Sequence, residues 1–271
     1  MKSILLIILF LSLISSQELG KKIGKGFDGN VYEIINNDKI VAKHYWKLDY
    51  DKFQDEVFRW EQIPDHENVF KMLYHHPEIP LALFERVKCD LDNYLIKNIN
   101  NFNNFNDYEL HIIEIFKQIV SGIMHIHSYG FSHCDIKPAN IFVSKTDLLV
   151  SNTIKVADLS RLSFTKTGLE SYGLIIPPES INGQPFDLQK ADIYNLGAIL
   201  YNLLHKQDIK EQYAKICAPN MIVEYTELFV DKLYFSSHVS EKVILLIKKM
   251  LSYDPNSRPN IIEIMSFLVF L

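Results

Sequence analysis

The spacing of apolar residues in this chain changes once, between Glu85 and Lys88, and that change limits what it can fold into. Up to Glu85 the apolar residues come in short runs cut by turns. "KKIGKGFDGNVYEI" reads as strand, glycine turn, strand, and "NNDKIVAKHYW" as a turn followed by a strand. The exception is "DYDKFQDEVFRWEQI", where Phe53, Val57 and Trp60 fall at i, i+4 and i+7 and predict an amphipathic helix stopped by Pro64. "IPLALFERV" suits a buried strand leading out of this region. Past Lys88 the chain turns helical. "DYELHIIEIFKQIVSGIMHIHSYG" is a long amphipathic helix closing on Gly130; "QKADIYNLGAILYNLLHK" and "SEKVILLIKKMLSY" are two more, apolar enough to be largely buried. Asn98 to Asp107, "NINNFNNFND", reads as a solvated loop. The expectation is an α+β chain with a small β-rich lobe and a larger, mainly α-helical one.

A length of 271 residues suffices for that arrangement and for a sizeable core. The net charge of −5 leaves no basic field for nucleic acid or an anionic membrane surface. Cys89, Cys134 and Cys217 are too few and too scattered for a disulfide framework or a zinc site. His75 and His76, beside Pro77, read as loop residues rather than metal ligands. Residues 1–17 have a single Lys, an apolar run from Ile4 to Ile14, then Ser15 and Ser16, the layout of a secretory signal peptide. As a helix that run reaches about 16 Å, short of the ~30 Å hydrocarbon core, so no stable membrane span is expected. The secretory pathway follows from that reading; a plain hydrophobic extension on a cytoplasmic protein is the alternative.

Three stretches carry chemistry. "GKGFDGNV" spaces Gly24, Gly26 and Gly29 so that backbone N–H groups can close over an anionic ligand, although ordinary turn glycines fit that motif equally well. It leads to Val31 in a second strand, not to the helix that a dinucleotide fold requires. Lys43 then sits inside an apolar strand, where an ammonium is costly unless its charge is matched. Phosphate oxygens and a helix carboxylate would match it. Glu56, one turn before Trp60, faces inward, and Glu61 points about 140° away from it. Finally, "HCDIKPANIF" sets Asp135, Lys137 and Asn140 close together, with Pro138 keeping the segment from winding into a helix.

In order along the chain, G-x-G-x-x-G-x-V, V-A-K, a helix glutamate, H-C-D-I-K-P-A-N and the later Asp158 resemble the signature of the eukaryotic-type protein kinases. The resemblance covers residues 18–271 and implies a bilobal protein-kinase-like fold: small lobe about 18–84, hinge 85–88, large lobe 89–271. It implies transfer of the γ-phosphoryl group of ATP, with Mg²⁺, to Ser/Thr hydroxyls of protein substrates by a monomer. Asp135 would accept or orient the hydroxyl proton, and Lys137 would meet the γ-phosphate. Asn140 and Asp158 would hold Mg²⁺, and Lys43, paired to Glu56, would clamp the α- and β-phosphates. Val31 and Ala42 would cover adenine, with Phe142 or a neighbour beneath. The backbones of Glu85 and Val87 would bind its edge, and Phe84 would be the gatekeeper. Glu179 and Arg258 would form a buried ion pair, and Asp192 would accept N–H bonds from the catalytic loop.

Three departures from the family pattern stand out. Leu159 and Ser160 follow Asp158 where Phe and Gly are usual, and serine there predicts a negative φ. Cys134 replaces the arginine that reads a phosphate, so a phosphorylated Thr165 or Thr167 would lack its bidentate partner and activity should not depend on that modification. Tyr172 stands where the substrate loop usually has threonine. Lys137 resembles the serine/threonine class. The competing reading is a pseudokinase, a nucleotide-binding or scaffolding module without turnover.

Overall fold

A computed structural model describes residues 19–26, 28–46, 50–98, 104–144, 154–169, 171–205, 209–211 and 229–271. The signal-like residues 1–17 and Cys217 lie outside the described residues. The chain divides into two compact units, one running to Asp65 and resuming over Phe70–Val87, the other comprising His66–Val69 and Lys88–Leu271.

The first unit is a five-stranded antiparallel sheet, ordered β1-β2-β3-β5-β4, with one helix. Its strands are β1 (Leu19–Lys25), β2 (Gly29–Ile34), β3 (Asn37–Tyr45), β4 (Met72–His75) and β5 (Leu81–Glu85), and helix α1 spans Tyr50–Gln62. Asn36, with φ 63°, turns β2 into β3; asparagine tolerates that left-handed conformation better than most residues. Side chains alternate across β3, so Val41, Lys43 and Tyr45 share one face and Ala42 takes the other. Ala42 joins Ile34, Leu81 and Leu83 in an apolar cluster. α1 buries Phe53, Glu56, Val57 and Trp60, the stripe expected from the sequence plus one carboxylate. Trp60 meets Phe70 and Phe84 edge-on at 6.0 Å, and the two phenylalanines stack on each other. β4 corrects the loop reading of His75, which ends this strand and contacts Glu61 at 3.2 Å.

The second unit is mainly helical: α2 (Leu91–Asn98), α3 (Phe105–Ser128), α4 (Leu188–His205), α5 (Glu241–Met250) and α6 (Ile261–Val269). A small antiparallel sheet orders β6 (Cys89–Asp90), β7 (Ile141–Val143) and β8 (Ile154–Val156), and β9 (Thr167–Gly168) pairs with β10 (Phe186–Asp187). The piece His66–Val69 packs here: Val69 bridges Val156, and the Asn68 side chain donates to the Ile154 carbonyl. Gly122 of α3 lies so close to it that a Cβ would sit 2.5 Å from the Asn68 oxygen. The asparagine-rich loop is shorter than expected. Asn98 ends α2, Asn104 caps α3 by accepting from the Asp107 N–H, and Phe105–Asp107 are already helical; residues 99–103 are outside the described ones. No helix among the described residues is long and apolar enough to cross a membrane.

Candidate active site

In the first unit Lys43 projects from β3 toward α1, and its Nζ lies 3.3 Å from Glu56 Oε1. Glu56 also accepts from the Tyr45 hydroxyl at 2.8 Å, and the Lys43 ammonium sits 4.1 Å from the centre of the Tyr45 ring. Strand geometry explains the grouping: Tyr45 is two residues from Lys43 and therefore on the same face. Val31 is paired directly across from Lys43. Ala42, expected to share this site, does not, because the period of two turns it to the opposite face; Val41 takes that place. The turn between β1 and β2 closes through a 2.8 Å bond from the Gly26 N–H to the Gly29 carbonyl. Gly29 is required by packing, since a Cβ there would fall 2.3 Å from the His44 oxygen. At Gly24 and Gly26 added Cβ atoms would make only ordinary contacts. Glu85 and Phe84 lie in β5, and no group among the described residues pairs with the Val87 N–H.

In the second unit the catalytic-loop candidates converge on one carboxylate. Asp135 Oδ2 accepts from Lys137 Nζ at 2.6 Å and from Asn140 Nδ2 at 3.0 Å, and Asn140 Nδ2 also bonds the Asp135 carbonyl. No donor among the described residues reaches Asp135 Oδ1. Pro138 does not abolish regular structure here; it opens a single 3₁₀ turn, Pro138–Asn140, because a first-turn N–H needs no intrahelical partner. β7 follows at once, so the rest of "HCDIKPANIF" is strand, with Phe142 in it.

Buried groups hold this loop. Asp192 of α4 accepts from the backbone N–H groups of His133 (2.7 Å) and Cys134 (2.9 Å) and from the ring of His127 (2.9 Å). The Asp192 bonds to the loop backbone match the expectation; the His127 contact had no sequence signal. The fully buried His133 accepts the Asp135 N–H at Nδ1, so its Nε2 carries the proton and donates to the Ala157 carbonyl at 3.0 Å. Ala157 in turn donates its N–H to the Asn140 carbonyl. These bonds tie the loop to the strand end carrying Asp158.

Asp158 has φ 61° and caps the 3₁₀ turn Leu159–Arg161, its Oδ1 accepting from the Ser160 N–H and hydroxyl. The positive φ is thus at Asp158 itself, and Ser160 lies within the turn without one, as serine predicted. Asp158 Oδ2 and Asn140 Oδ1 have no donor among the described residues, and no cluster of three metal-ligating His, Cys, Asp or Glu side chains occurs among them. Two oxygens, one of them anionic, fit a hard cation that completes its shell with phosphate oxygens and water.

Residues 17–270 match the family model of the protein kinase domain. The chain belongs to the protein kinase family. The kinase domain is 25% identical over 235 residues to maternal embryonic leucine zipper kinase of Xenopus tropicalis, covering 84% of this chain and 34% of that protein. Over 271 residues it is 26% identical to CBL-interacting serine/threonine-protein kinase 5 of Arabidopsis thaliana, covering 93% and 57%. Serine/threonine-protein kinase PSK2 of Saccharomyces cerevisiae is 33% identical over 156 residues, covering 55% and 13%. The chain therefore spans between about an eighth and just over half of these relatives' lengths.

The kinase domain keeps the Glu179–Arg258 pair as two parallel bonds of 2.6 and 2.7 Å, with Arg258 buried and also donating to the Ser252 and Lys190 carbonyls. Where the family has arginine, Cys134 (φ 62°) packs with Phe186, Leu188 and Ala191. Burial, then the Asp192 carboxylate, pushes its thiol well above the usual range, which leaves it unreactive.

Proposed function

We propose that this chain is a protein serine/threonine kinase that transfers the γ-phosphoryl group of ATP to the hydroxyls of protein substrates. The observation that carries this reading is the pinning of Asp135 Oδ2 by Lys137 and Asn140, which leaves Oδ1 open. In this reading Oδ1 takes the hydroxyl proton as the hydroxyl oxygen bonds to the γ-phosphorus. The bond from phosphorus to the bridging oxygen breaks and ADP leaves. Lys137 sets a positive charge beside the attacking group, where it also meets the transferred phosphoryl oxygens. Lys43, oriented by Glu56 and Tyr45, binds phosphate oxygens, while Val31 and Val41 on the same sheet face flank the base and the Val87 N–H meets its edge. Asn140 and Asp158 would hold Mg²⁺, which supplies charge neutralisation at the phosphates.

Incubation with radiolabelled MgATP and a basic protein substrate, followed by phosphoamino-acid separation, tests the reading. Phosphoserine or phosphothreonine is expected. Phosphotyrosine alone would overturn the hydroxyl class, and no label in any substrate or in the protein itself would favour the pseudokinase.

A further inference from the structure

The segment Leu159–Ile176 carries a contact outside the residues assigned above. The Arg161 guanidinium lies 3.8 Å from the centre of the Tyr172 ring, a stacking distance between two exposed side chains eleven positions apart. Arg161 ends the 3₁₀ turn that Asp158 caps. Tyr172 begins the stretch leading to Pro177, and its N–H donates to the Cys134 carbonyl at 2.8 Å, one residue before Asp135. One side-chain contact therefore joins the turn after the metal-site carboxylate to the loop beside the catalytic carboxylate.

The chain beyond Tyr172 is anchored differently. Gly173 (φ 56°) lies against Asn195, where any Cβ would fall 2.4 Å from the carboxamide, and the Ile175 N–H donates to Asn195 Oδ1 at 2.9 Å. Leu174 and Ile175 are buried. On the other side, Ser132 and Ser163 exchange two backbone bonds, and Gly168 packs on Leu188. Between these two anchorages the Tyr172 ring is exposed, as is Leu169, and Arg161 lies over the ring.

We propose that Arg161 and Tyr172 form a clasp, a guanidinium on an aromatic face, that positions the substrate loop against the catalytic loop. The proposal rests on the phosphotransfer reading for its consequence and on the stacking geometry for its existence. Arg161 and Tyr172 are positioning residues: neither reaches the Asp135 carboxylate. A tyrosine suits this position because the clasp needs a π face, which the family's threonine lacks. Cys134 suits its own position because the neighbouring pocket of Phe186, Leu188 and Ala191 is apolar and takes no part in reading charge.

Amide hydrogen exchange over residues 171–176, in the protein without nucleotide, tests the clasp independently of turnover. Arg161→Ala and Tyr172→Thr should each speed exchange about 2- to 5-fold, the range expected for an exposed cation–π contact, while Tyr172→Phe, which keeps the ring, should exchange like the wild type. In phosphotransfer assays the first two variants should raise KM for the protein substrate more than KM for ATP, with Tyr172→Phe restoring the substrate KM. Unchanged exchange in both Arg161→Ala and Tyr172→Thr would overturn the clasp, as would Tyr172→Phe behaving like Tyr172→Thr. A wild type that transfers no phosphate would defeat the phosphotransfer reading alone, since the exchange result would still decide the clasp.

Discussion

In the catalytic loop one buried carboxylate organises the backbone: Asp192 takes the N–H groups of His133 and Cys134 and the His127 ring, all out of water. The segment from Arg161 to Ile176 is held by other means. A two-residue strand pair, backbone bonds to Ser132 and Cys134, and the ring of Tyr172 under Arg161 fix it at its exposed edge. The difference is one of dielectric. A carboxylate in a dry site is held firmly when fully paired and is costly when any partner goes, so it can keep Cys134 at an unfavourable φ of 62°. Exposed stacking and short backbone ladders are each worth little, so the exposed positions of that segment can change without endangering the fold, whereas Gly173 and Ile175, held against the buried Asn195, cannot. The departures from the family pattern at Tyr172 and Ser160 fall in or next to this cheaper region. Leu159 and Cys134 are buried departures, and both are apolar.

The sharpest way to break the contrast is Asp192→Ala. It strands two buried N–H groups and a histidine, and should lower stability by about 3–5 kcal/mol in urea unfolding. A loss under 1 kcal/mol would mean the loop does not depend on that carboxylate. Next comes Cys134→Arg, which restores the family residue. The apolar pocket should make it destabilising by about 1–3 kcal/mol, and it should not confer stimulation by phosphorylation. A stable variant activated by phosphate would show that the pocket accepts charge.

The same thiol gives a pH signature. Its folded pKa is raised from 9.0, so the associated stability is present below about pH 9 and is lost as pH climbs above it, by up to about 1.4 kcal/mol per pH unit. Urea midpoints from pH 8 to 10 should fall in the wild type and fall less steeply in Cys134→Ala; parallel curves would remove the thiol from the account. The smallest effect is expected from phosphatase: pretreated protein should keep its phosphotransfer rate within about two-fold, because no guanidinium at position 134 reads a phosphate. A collapse in rate would reverse the comparison.

Much of the first unit was legible because its periods are simple. Phe53, Val57 and Trp60 announced α1, and the same helical pitch chose Glu56 over Glu61 as the partner of Lys43. Where the period of two was not applied, the reading failed: Ala42, adjacent to Lys43, was placed on the face that belongs to Val41. Tyr45 was also missed, since nothing in a strand's sequence says which hydroxyl will find a carboxylate on a helix eleven residues ahead. In the second unit Asp192 was readable from the family pattern. Contacts made by tertiary packing were not: Gly122 against Asn68, the His127 ring on Asp192, and Arg161 over Tyr172 join residues whose spacing follows no local period. Pro138 misled in a specific way, for proline forbids a helix interior but favours a first turn.

The most direct test of the account compares phosphate transfer from MgATP by the wild type and by Asp135→Asn, with both proteins shown to melt alike. The amide keeps the size of the side chain but cannot take the hydroxyl proton, and a rate about 10²- to 10⁴-fold lower is predicted. Equal transfer by the two proteins would contradict the role given to Asp135 and, with it, the reading of the loop built around that carboxylate.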